Sequence, residues 1–258
     1  MYNEVNLHKF KRKHLERKIR IGAVSYLNTK PLLYGFEKGL MQTETTMVTG
    51  YPAALAGQLM HDEIDIGLIP VAALPALKEQ HIISGYCIGA SRPVASVCIF
   101  SEVPVYEIKT LYLDYQSRTS VALAKILLKK YWKISPRLIT GHEGYEQQFG
   151  GDTAALIIGD RALQKLQTIN YVYDLAEAWQ VMTGLPFVFA VWAANKQLPA
   201  GFIHAFNETT GMGLMHIPEI VAANPFDAYN LQTYFTQNID YRMDDAKMQG
   251  LQLFLEML

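Results

Sequence analysis

The hydrophobic pattern of the chain alternates between two kinds of segment. Short apolar runs rich in Val, Ile and Tyr are separated by longer stretches whose apolar residues recur at helical spacing. This alternation begins at Lys18 and predicts βα units with a largely parallel sheet. The predicted strands are 19–25, 64–69, 82–88, 95–100, 109–114, 137–140, 154–158, 187–193 and 238–242. The predicted helices are 30–38, 52–61, 71–79, 119–132, 143–149, 160–167, 174–182, 200–210, 216–223, 226–236 and 244–257.

Two pairs of segments repeat the same order of apolar and polar residues. Segment 19–36 predicts a strand, a turn rich in Ser, Asn and Thr, and an apolar helix start, and 109–128 has the same order. Segments 63–74 and 153–163 each predict a strand, a break at Pro or Asp, and a helix of small apolar residues. This repeat predicts two α/β lobes. Ligands of such sheets bind beyond the carboxyl ends of the strands, so we expect a site in the cleft between the lobes.

Composition and charge narrow the class of protein. Of the 258 residues, 50% are hydrophobic and 18% are charged, which excludes a disordered chain and a coiled coil. Residues 1–20 hold seven basic and two acidic side chains, whereas the rest of the chain has a net charge of −6. We interpret residues 1–18 as a frayed basic arm, because they lack apolar periodicity. The acidic body argues against a nucleic-acid partner.

The apolar runs give no sign of a membrane protein or a secreted one. The run at 21–27 is too short for a signal peptide and has no cleavage site after it. The longest run, 187–194, is far below the roughly 20 residues of a membrane helix, so we expect no membrane partner. Cys87 and Cys98 both lie in apolar segments, which favours reduced, buried thiols over a disulfide. Together these features favour a cytoplasmic protein.

Common catalytic signatures are absent from the sequence. It contains no GxGxxG, Walker, GxSxG or HExxH motif, which weakens nucleotide-dependent and metalloprotease interpretations. The segments 61–63 and 142–143 contain His, Asp and Glu, but they fall at a helix end and in a loop, where such side chains are usually solvated. We therefore expect no metal site.

Polar turns at strand ends are the remaining candidates. In SYLNTKP (25–31), Ser25, Asn28 and Thr29 precede Pro31, which suits the first turn of a helix. A simple helix cap is the alternative explanation of this turn.

A second polar turn, DYQSRTS (114–120), precedes an apolar helix. Ser117, Thr119 and Ser120 stand at the predicted helix start, where free N–H groups attract anions. Arg118 adds a possible partner for a carboxylate. Capping needs one hydroxyl and this turn has three, so an anion site and a plain cap are both open.

Two segments are expected to connect the lobes and face the cleft. One is 91–97, which contains Arg92 and Ser96. The other includes Thr183 and Gly184, which either donate to a ligand or form the C-terminal cap of a helix.

Six motifs stand in order along the chain: SYLNTKPL (25–32), DIGLIP (65–70), LDYQSRTSVAL (113–123), LIIGDRAL (156–163), DLAEAW (174–179) and TGLPFVFAVW (183–192). Together they resemble the chorismate dehydratase family of the futalosine route to menaquinone, from about residue 19 onward. The sister family of dihydroxynaphthoate synthases has a Ser-Pro-Cys-Pro type of turn where this chain has SYLNT. This difference favours the dehydratase.

The resemblance implies an α/β, bilobal fold of the type 2 periplasmic-binding-protein class, with two lobes joined by a two-strand hinge. We expect lobe 1 to comprise 19–98 and 191–258, and lobe 2 to comprise 99–190. The implied reaction is the elimination of water from chorismate, a small-molecule substrate, without a cofactor or metal. The resemblance implies catalytic roles for Asn28 and Ser96. The candidate substrate-binding residues are Ser25, Tyr26, Thr29, Arg92, Ser117, Arg118, Thr119, Ser120, Thr183 and Gly184.

Two alternative functions stay open at this point. One is an enzyme like 1,4-dihydroxy-6-naphthoate synthase, and the other is a non-catalytic protein that binds a small carboxylate. Turnover of chorismate separates both from the main interpretation. The sequence has no signal for an oligomeric state.

Overall fold

Two β-sheets with flanking helices make up the part of the chain that the computed structural model describes, residues 17–258. The strands are β1 (Ile19–Ala23), β2 (Thr45–Thr49), β3 (Ile66–Pro70), β4 (His81–Ala90), β5 (Val97–Ser101), β6 (Thr110–Leu113), β7 (Arg137–Thr140), β8 (Thr153–Ile158), β9 (Tyr171–Asp174), β10 (Phe187–Ala194) and β11 (Asp240–Arg242). The helices are α1 (Lys30–Glu37), α2 (Pro52–Met60), α3 (Arg118–Leu127), α4 (Asp160–Lys165), α5 (Leu175–Thr183), α6 (Ala200–Gly211), α7 (Ile217–Ala223), α8 (Leu231–Thr233) and α9 (Asp245–Glu256).

The two sheets share one topology. The first has the strand order β11-β4-β10-β3-β1-β2 and the second has β7-β6-β8-β5-β9. In the first sheet β1 is parallel to β2 and β3, and in the second β6 is parallel to β7 and β8. An antiparallel strand follows in each case, β10 beside β3 and β5 beside β8. The sheets therefore confirm the two lobes that the repeat predicts.

The first crossing between the sheets falls within the predicted connecting segment 91–97, but the lobe boundaries predicted after residues 98 and 190 are a few residues late. Strands β5 and β10, which were expected to bridge the lobes, each lie wholly within one sheet because they have strand partners on both sides. The connections are residues 91–96 and the segment of α5 with the turn after it, up to residue 186. Residues 97–98 thus belong to the second sheet and residues 187–190 to the first, in place of the predicted division after 98 and 190.

A continuous apolar core joins the two lobes. Trp179 of α5 is fully buried and packs edge-on against Phe187 and Phe254, with ring centroids 5.3 and 6.2 Å apart. Strand β3 is buried along its whole length, as expected of a central strand covered on both faces. The crossing helix α5 therefore packs into the interior between the two sheets.

Several predicted elements differ from the structure. The predicted helices 71–79 and 143–149 are short 3₁₀ turns, the first containing Pro75, which removes a helical hydrogen bond. The predicted helix 226–236 is reduced to α8 and a wide turn at Tyr234–Asn238. Strands β2 and β9 were not predicted, because both are polar or half-exposed edge strands without a run of buried residues.

Residues 1–16 of the predicted basic arm lie outside the described residues. The last two residues of the predicted arm, Arg17 and Lys18, are hydrogen-bonded to lobe 1. Arg17 donates to both carboxylate oxygens of Asp65, at 2.6 and 2.7 Å. Lys18 Nζ donates to the carbonyl oxygen of Gln42 at 2.7 Å. Residues 17 and 18 therefore do not belong to a frayed arm.

The carboxylate of Asp65 is 1% exposed and also accepts hydrogen bonds from Arg20 and Lys196. Burial alone would raise its pKa, but the bonds from Arg17 and these partners outweigh burial and hold the pKa far below its usual range. Asp65 thus stays ionised and ties the start of β1 to the start of β3.

The two cysteines are free and buried, as predicted, and they lie in different sheets, Cys87 in β4 and Cys98 in β5. Burial raises the pKa of the Cys87 thiol to about 12. Within residues 17–258, the helices are all too short or too polar to cross a membrane.

Candidate active site between the lobes

A cleft lined by residues of both lobes lies where the two lobes meet. The carboxyl ends of the parallel strands β1, β3 and β8 all open into it, which is where α/β sheets bind ligands. Most of its wall is apolar and the polar atoms are few, as in typical small-molecule sites. The lining residues are Val24, Tyr26, Asn28, Thr29, Pro52, Leu68, Pro70, Ile88, Val94, Ser96, Val97, Ser117, Ser120, Ile158, Gly159, Phe189 and Ala190.

The turn between β1 and α1 presents Asn28 to the cleft. The Thr29 hydroxyl contacts the carbonyl oxygens of Val24 and Tyr26, at 2.6 and 2.7 Å, and so stabilises the turn itself. The backbone carbonyl of Asn28 accepts from the Tyr241 hydroxyl at 2.9 Å. With its backbone held in this way, the Asn28 side chain keeps a buried Oδ1 that has no hydrogen-bond partner. A buried acceptor of this kind is costly unless a ligand supplies a donor.

The start of α3 faces the cleft from lobe 2. Ser117 is the N-cap, and its Oγ accepts the Ser120 N–H at 3.1 Å. Ser117 Oγ also donates to Ser120 Oγ at 2.8 Å. Because Ser120 Oγ accepts that bond, its own proton is available to a ligand in the cleft. The positive end of α3 adds a favourable potential for an anion at this point.

Ser96 stands at the end of the first crossing segment and is 1% exposed. Its Oγ is a second buried polar atom without a partner in the cleft. The backbone carbonyl of Ser96 accepts the N–H of Gly159 at 2.8 Å, which joins the crossing segment to the end of β8. The Tyr234 hydroxyl beside it is also buried without a hydrogen-bond partner, and burial raises its pKa far above the usual value.

Three polar contacts join the lobes around the cleft. The Tyr26 hydroxyl donates to Gln116 Oε1, and the Leu27 N–H donates to Asp160 Oδ1 at 3.2 Å. The Ala72 N–H donates to Thr119 Oγ1 at 3.2 Å. The structure therefore shows the lobes closed on each other.

A buried network in lobe 2 supports the contact at Gln116. Asp114 accepts bonds from the Gln116 N–H at 2.7 Å, the Tyr145 hydroxyl at 2.7 Å and Arg161 at 2.6 Å. Burial raises the pKa of Asp114, and the charge and hydrogen bonds of these partners oppose that rise. Burial and the nearby Asp114 raise the pKa of Tyr26 far above its usual value, so Tyr26 keeps the proton that it donates.

Half of the twelve predicted site residues line the cleft: Tyr26, Asn28, Thr29, Ser96, Ser117 and Ser120. Three others are next to lining residues in the chain but do not line the cleft themselves. Ser25 and Arg118 are exposed. Thr119 is 1% exposed and uses its hydroxyl in the contact with Ala72 between the lobes.

The remaining three predicted residues are not brought to the cleft. Arg92 is exposed on the first crossing segment. Thr183 Oγ1 donates to the carbonyl of Trp179 at 2.8 Å and accepts the Leu185 N–H at 3.1 Å. Gly184 ends α5 in the left-handed region at φ +75°. Thr183 and Gly184 therefore form a helix C-cap, the alternative that the sequence left open.

Some residues of the site were not predicted from the sequence. Gly159 has φ +64° and faces the Tyr26 ring, so a Cβ there would lie 3.4 Å from that ring. The motif LIIGDRAL contains this glycine, but the sequence does not indicate its role in the cleft. Gln116 and Tyr234 have no local signal at all, because their roles depend on residues about 90 to 140 positions away in the chain.

Comparison with known proteins identifies the family. The model of a family described as "Menaquinone biosynthesis" matches residues 19–258. The "Chorismate dehydratase" of Thermus thermophilus is 27% identical over 272 aligned residues, covering 92% of this chain and 94% of that protein.

Two solved structures share the fold. A crystal structure of an Archaeoglobus fulgidus protein matches with a TM-score of 0.75 and 14% identity, covering 95% of this chain and 97% of that one. A Candida albicans protein described as exhibiting "the generic periplasmic binding protein structural fold" matches with a TM-score of 0.59 and 10% identity, covering 93% of this chain and 90% of that one. These likenesses confirm the bilobal α/β fold of the periplasmic-binding-protein class. With the family model matched along nearly its whole length, the chain belongs to the menaquinone-biosynthesis family.

Proposed function

We propose that the protein is a chorismate dehydratase, a hydro-lyase that removes water from chorismate to form 3-[(1-carboxyvinyl)oxy]benzoate. Family membership and the name of the Thermus thermophilus relative support this reaction. The observation that carries the proposal is the pair of buried, unpartnered oxygens in the cleft, Asn28 Oδ1 and Ser96 Oγ. A buried oxygen without a protein partner costs free energy unless a ligand supplies the partner, so two such atoms in one cleft support a polar ligand between the lobes.

The cleft suits a flat, largely carbocyclic anion. Apolar side chains from both lobes, among them Leu68, Ile158 and Phe189, form the walls against which the ring packs. None of the lining residues named above, all from the described part of the chain, is charged. The carboxylates of the substrate are therefore met by hydroxyl donors such as Ser120 and by the N-terminal end of α3.

The polar atoms divide the substrate groups between them. Asn28 Oδ1 needs a donor, and the ring hydroxyl of chorismate is a donor. Ser96 Oγ carries a proton that it can donate to a carboxylate. This pairing places the leaving hydroxyl at Asn28 and a carboxylate at Ser96.

The reaction breaks a C–H bond at the ether-bearing ring carbon and the C–O bond of the neighbouring hydroxyl. The electron pair of the C–H bond completes the aromatic ring, and the hydroxyl leaves with a proton as water. Among residues 17–258, the lining offers no carboxylate or imidazole as a base. We therefore assign the proton transfer to the enolpyruvyl carboxylate of the substrate itself, while the protein orients the ring and stabilises the developing charge.

Two substitutions test the assignment. Asn28→Ala and Ser96→Ala each remove one oxygen, and each is expected to lower kcat by about 10²-fold or more, the magnitude typical of a lost transition-state hydrogen bond. Mass spectrometry of chorismate and product in the assay mixture gives the turnover. Asn170→Ala, at an exposed amide between α4 and β9, serves as the control with unchanged turnover. Wild-type turnover by Asn28→Ala would show that the assignment is wrong.

A cytoplasmic location belongs to this proposal. The two buried cysteines, both unpaired, suit a reducing compartment, in which cysteines are kept as thiols.

A further inference from the structure

The motif DLAEAW at the start of α5 has no part in the reaction as described so far. Asp174 is its first residue and the N-cap of α5. One carboxylate oxygen, Oδ1, accepts the N–H groups of Ala176 and Glu177 at 2.9 and 3.1 Å. Capping of this kind needs only one oxygen.

The second oxygen of Asp174 holds the crossing segment. Oδ2 accepts the N–H of Ala95 at 2.7 Å, and Asp174 is only 8% exposed. Ala95 has φ +64°, a backbone conformation that residues with a Cβ rarely adopt. The N–H of Ser96 donates across it to the carbonyl of Val94 at 2.7 Å. This i to i+2 bond with positive φ defines a γ-turn of the rare, strained type.

The strained turn stands directly before Ser96. A residue in such a conformation persists only where its surroundings hold it. Here the surroundings hold it from both sides, Asp174 through the N–H of Ala95 and Gly159 through the carbonyl of Ser96. If the turn relaxed to negative φ, the peptide before Ser96 would rotate and the hydroxyl would leave its place in the cleft.

We infer that Asp174 is a positioning residue for the dehydration: it holds the γ-turn at Ala95 and thereby fixes the Ser96 hydroxyl in the cleft. The inference rests on the proposed role of Ser96 in chorismate turnover. Asp174 is not among the lining residues of the cleft, and its two oxygens accept backbone N–H groups and, at 3.7 Å, the Cys98 thiol.

The test compares kcat and KM for chorismate in the full-length protein and its variants. Asp174→Asn has a single acceptor oxygen, which can cap α5 or hold Ala95 but not both. We expect kcat to fall by about 10- to 100-fold, the usual effect of a small misplacement of a reacting group, with KM changed by less than about threefold. Asp174→Ser keeps a capping hydroxyl that is too short for the turn, and it provides the same test if Asp174→Asn does not fold.

A rescue experiment separates positioning from a general loss of structure. Glycine adopts positive φ without strain, so Ala95→Gly lessens the need for the hydrogen bond from Asp174. In the Ala95→Gly background, Asp174→Asn is expected to lower kcat by less than about fivefold. Asp244→Asn is the matched control, because Asp244 caps α9 with its Oδ1 and has no contact with the turn. That control should keep wild-type kinetics.

The outcomes distinguish this inference from the proposed function. Asp174→Asn with kcat within twofold of wild type, or with an equal loss in both backgrounds, overturns the inference. If Ser96→Ala keeps full turnover, the role proposed for Ser96 fails first. If Ser96→Ala loses turnover and Asp174→Asn does not, only the positioning role of Asp174 fails.

Discussion

Replacing Tyr26 by Phe tests whether closure of the lobes stabilises the substrate complex. The substitution removes one of the three polar contacts between the lobes, the bond from the Tyr26 hydroxyl to Gln116, and leaves the ring in the wall of the cleft. Gln116 Oε1 keeps a donor, since Arg161 lies 3.3 Å away, so no buried acceptor is left without a partner. The loss is then that of one net hydrogen bond, about 1 kcal/mol, or roughly a fivefold change in the closing equilibrium.

The expected result is a KM for chorismate raised by up to about fivefold, with kcat within about twofold, because the lost bond lowers the fraction of closed protein and substrate binding must supply that free energy. Small-angle X-ray scattering of the substrate-free variant should show a larger radius of gyration. Tyr34→Phe is the control, since the Tyr34 hydroxyl donates to Glu219 within lobe 1. A fall in kcat with KM unchanged, or the same KM shift in Tyr34→Phe, would refute the role of closure.

Three further predictions concern stability. Asp65→Asn removes the 1% exposed carboxylate that pairs with Arg17 and Lys196, and it should lower the free energy of unfolding in urea by about 3–5 kcal/mol. A loss below about 1 kcal/mol would contradict the role of Asp65 as an anchor. Burial raises the pKa of Asp174 to about 6, above its unfolded value near 3.8. The folded protein therefore favours the protonated carboxyl, and the resulting stabilisation is fully present below about pH 4 and is lost as the pH rises through 6. Across that interval the free energy of unfolding of the wild type should fall by roughly 3 kcal/mol relative to that of Asp174→Asn. Parallel curves of unfolding free energy against pH for the two proteins would disprove the raised pKa of Asp174. Gly159→Ala, at φ +64° and ψ −146°, should cost about 1–3 kcal/mol and lower Tm by several degrees, and an unchanged Tm would contradict the strain.

The repeat in the sequence predicted more of the fold than any single element did. It placed β1 and β6, and β3 and β8, in equivalent positions of two sheets. The repeat also indicates β2, because the predicted strand β7 lies beside β6 in the second sheet as β2 lies beside β1 in the first. The residues of β2 alone, TTMVT, do not predict a strand, because an edge strand exposed on one side lacks the apolar run of a central strand.

The site was predicted where local sequence determines the geometry. The turns at Asn28 and Ser117 follow parallel strands and start helices, so their place at the cleft follows from the strand pattern. Arg92 and Arg118 were chosen for their charge, but the structure leaves both exposed. Charge type alone does not determine the direction of a side chain.

The residues that sequence could not assign act through contacts distant in the chain. Asp174 is recognisable as a helix cap, but its second bond reaches Ala95, 79 residues earlier. The positive φ of Ala95 has no sequence signal, since Gly or Asn is the residue usually found there. Such contacts become visible only when the lobes are assembled.

The central claim is that this cleft dehydrates chorismate. The most direct measurement is incubation of the purified full-length protein with chorismate, followed by mass spectrometry for a product lighter by one water. We predict that chorismate is consumed, that 3-[(1-carboxyvinyl)oxy]benzoate accumulates, and that Asn28→Ala abolishes most of this turnover. Unchanged chorismate with a folded protein would contradict the account, and consumption of a cyclic futalosine derivative in its place would assign the chain to the sister activity.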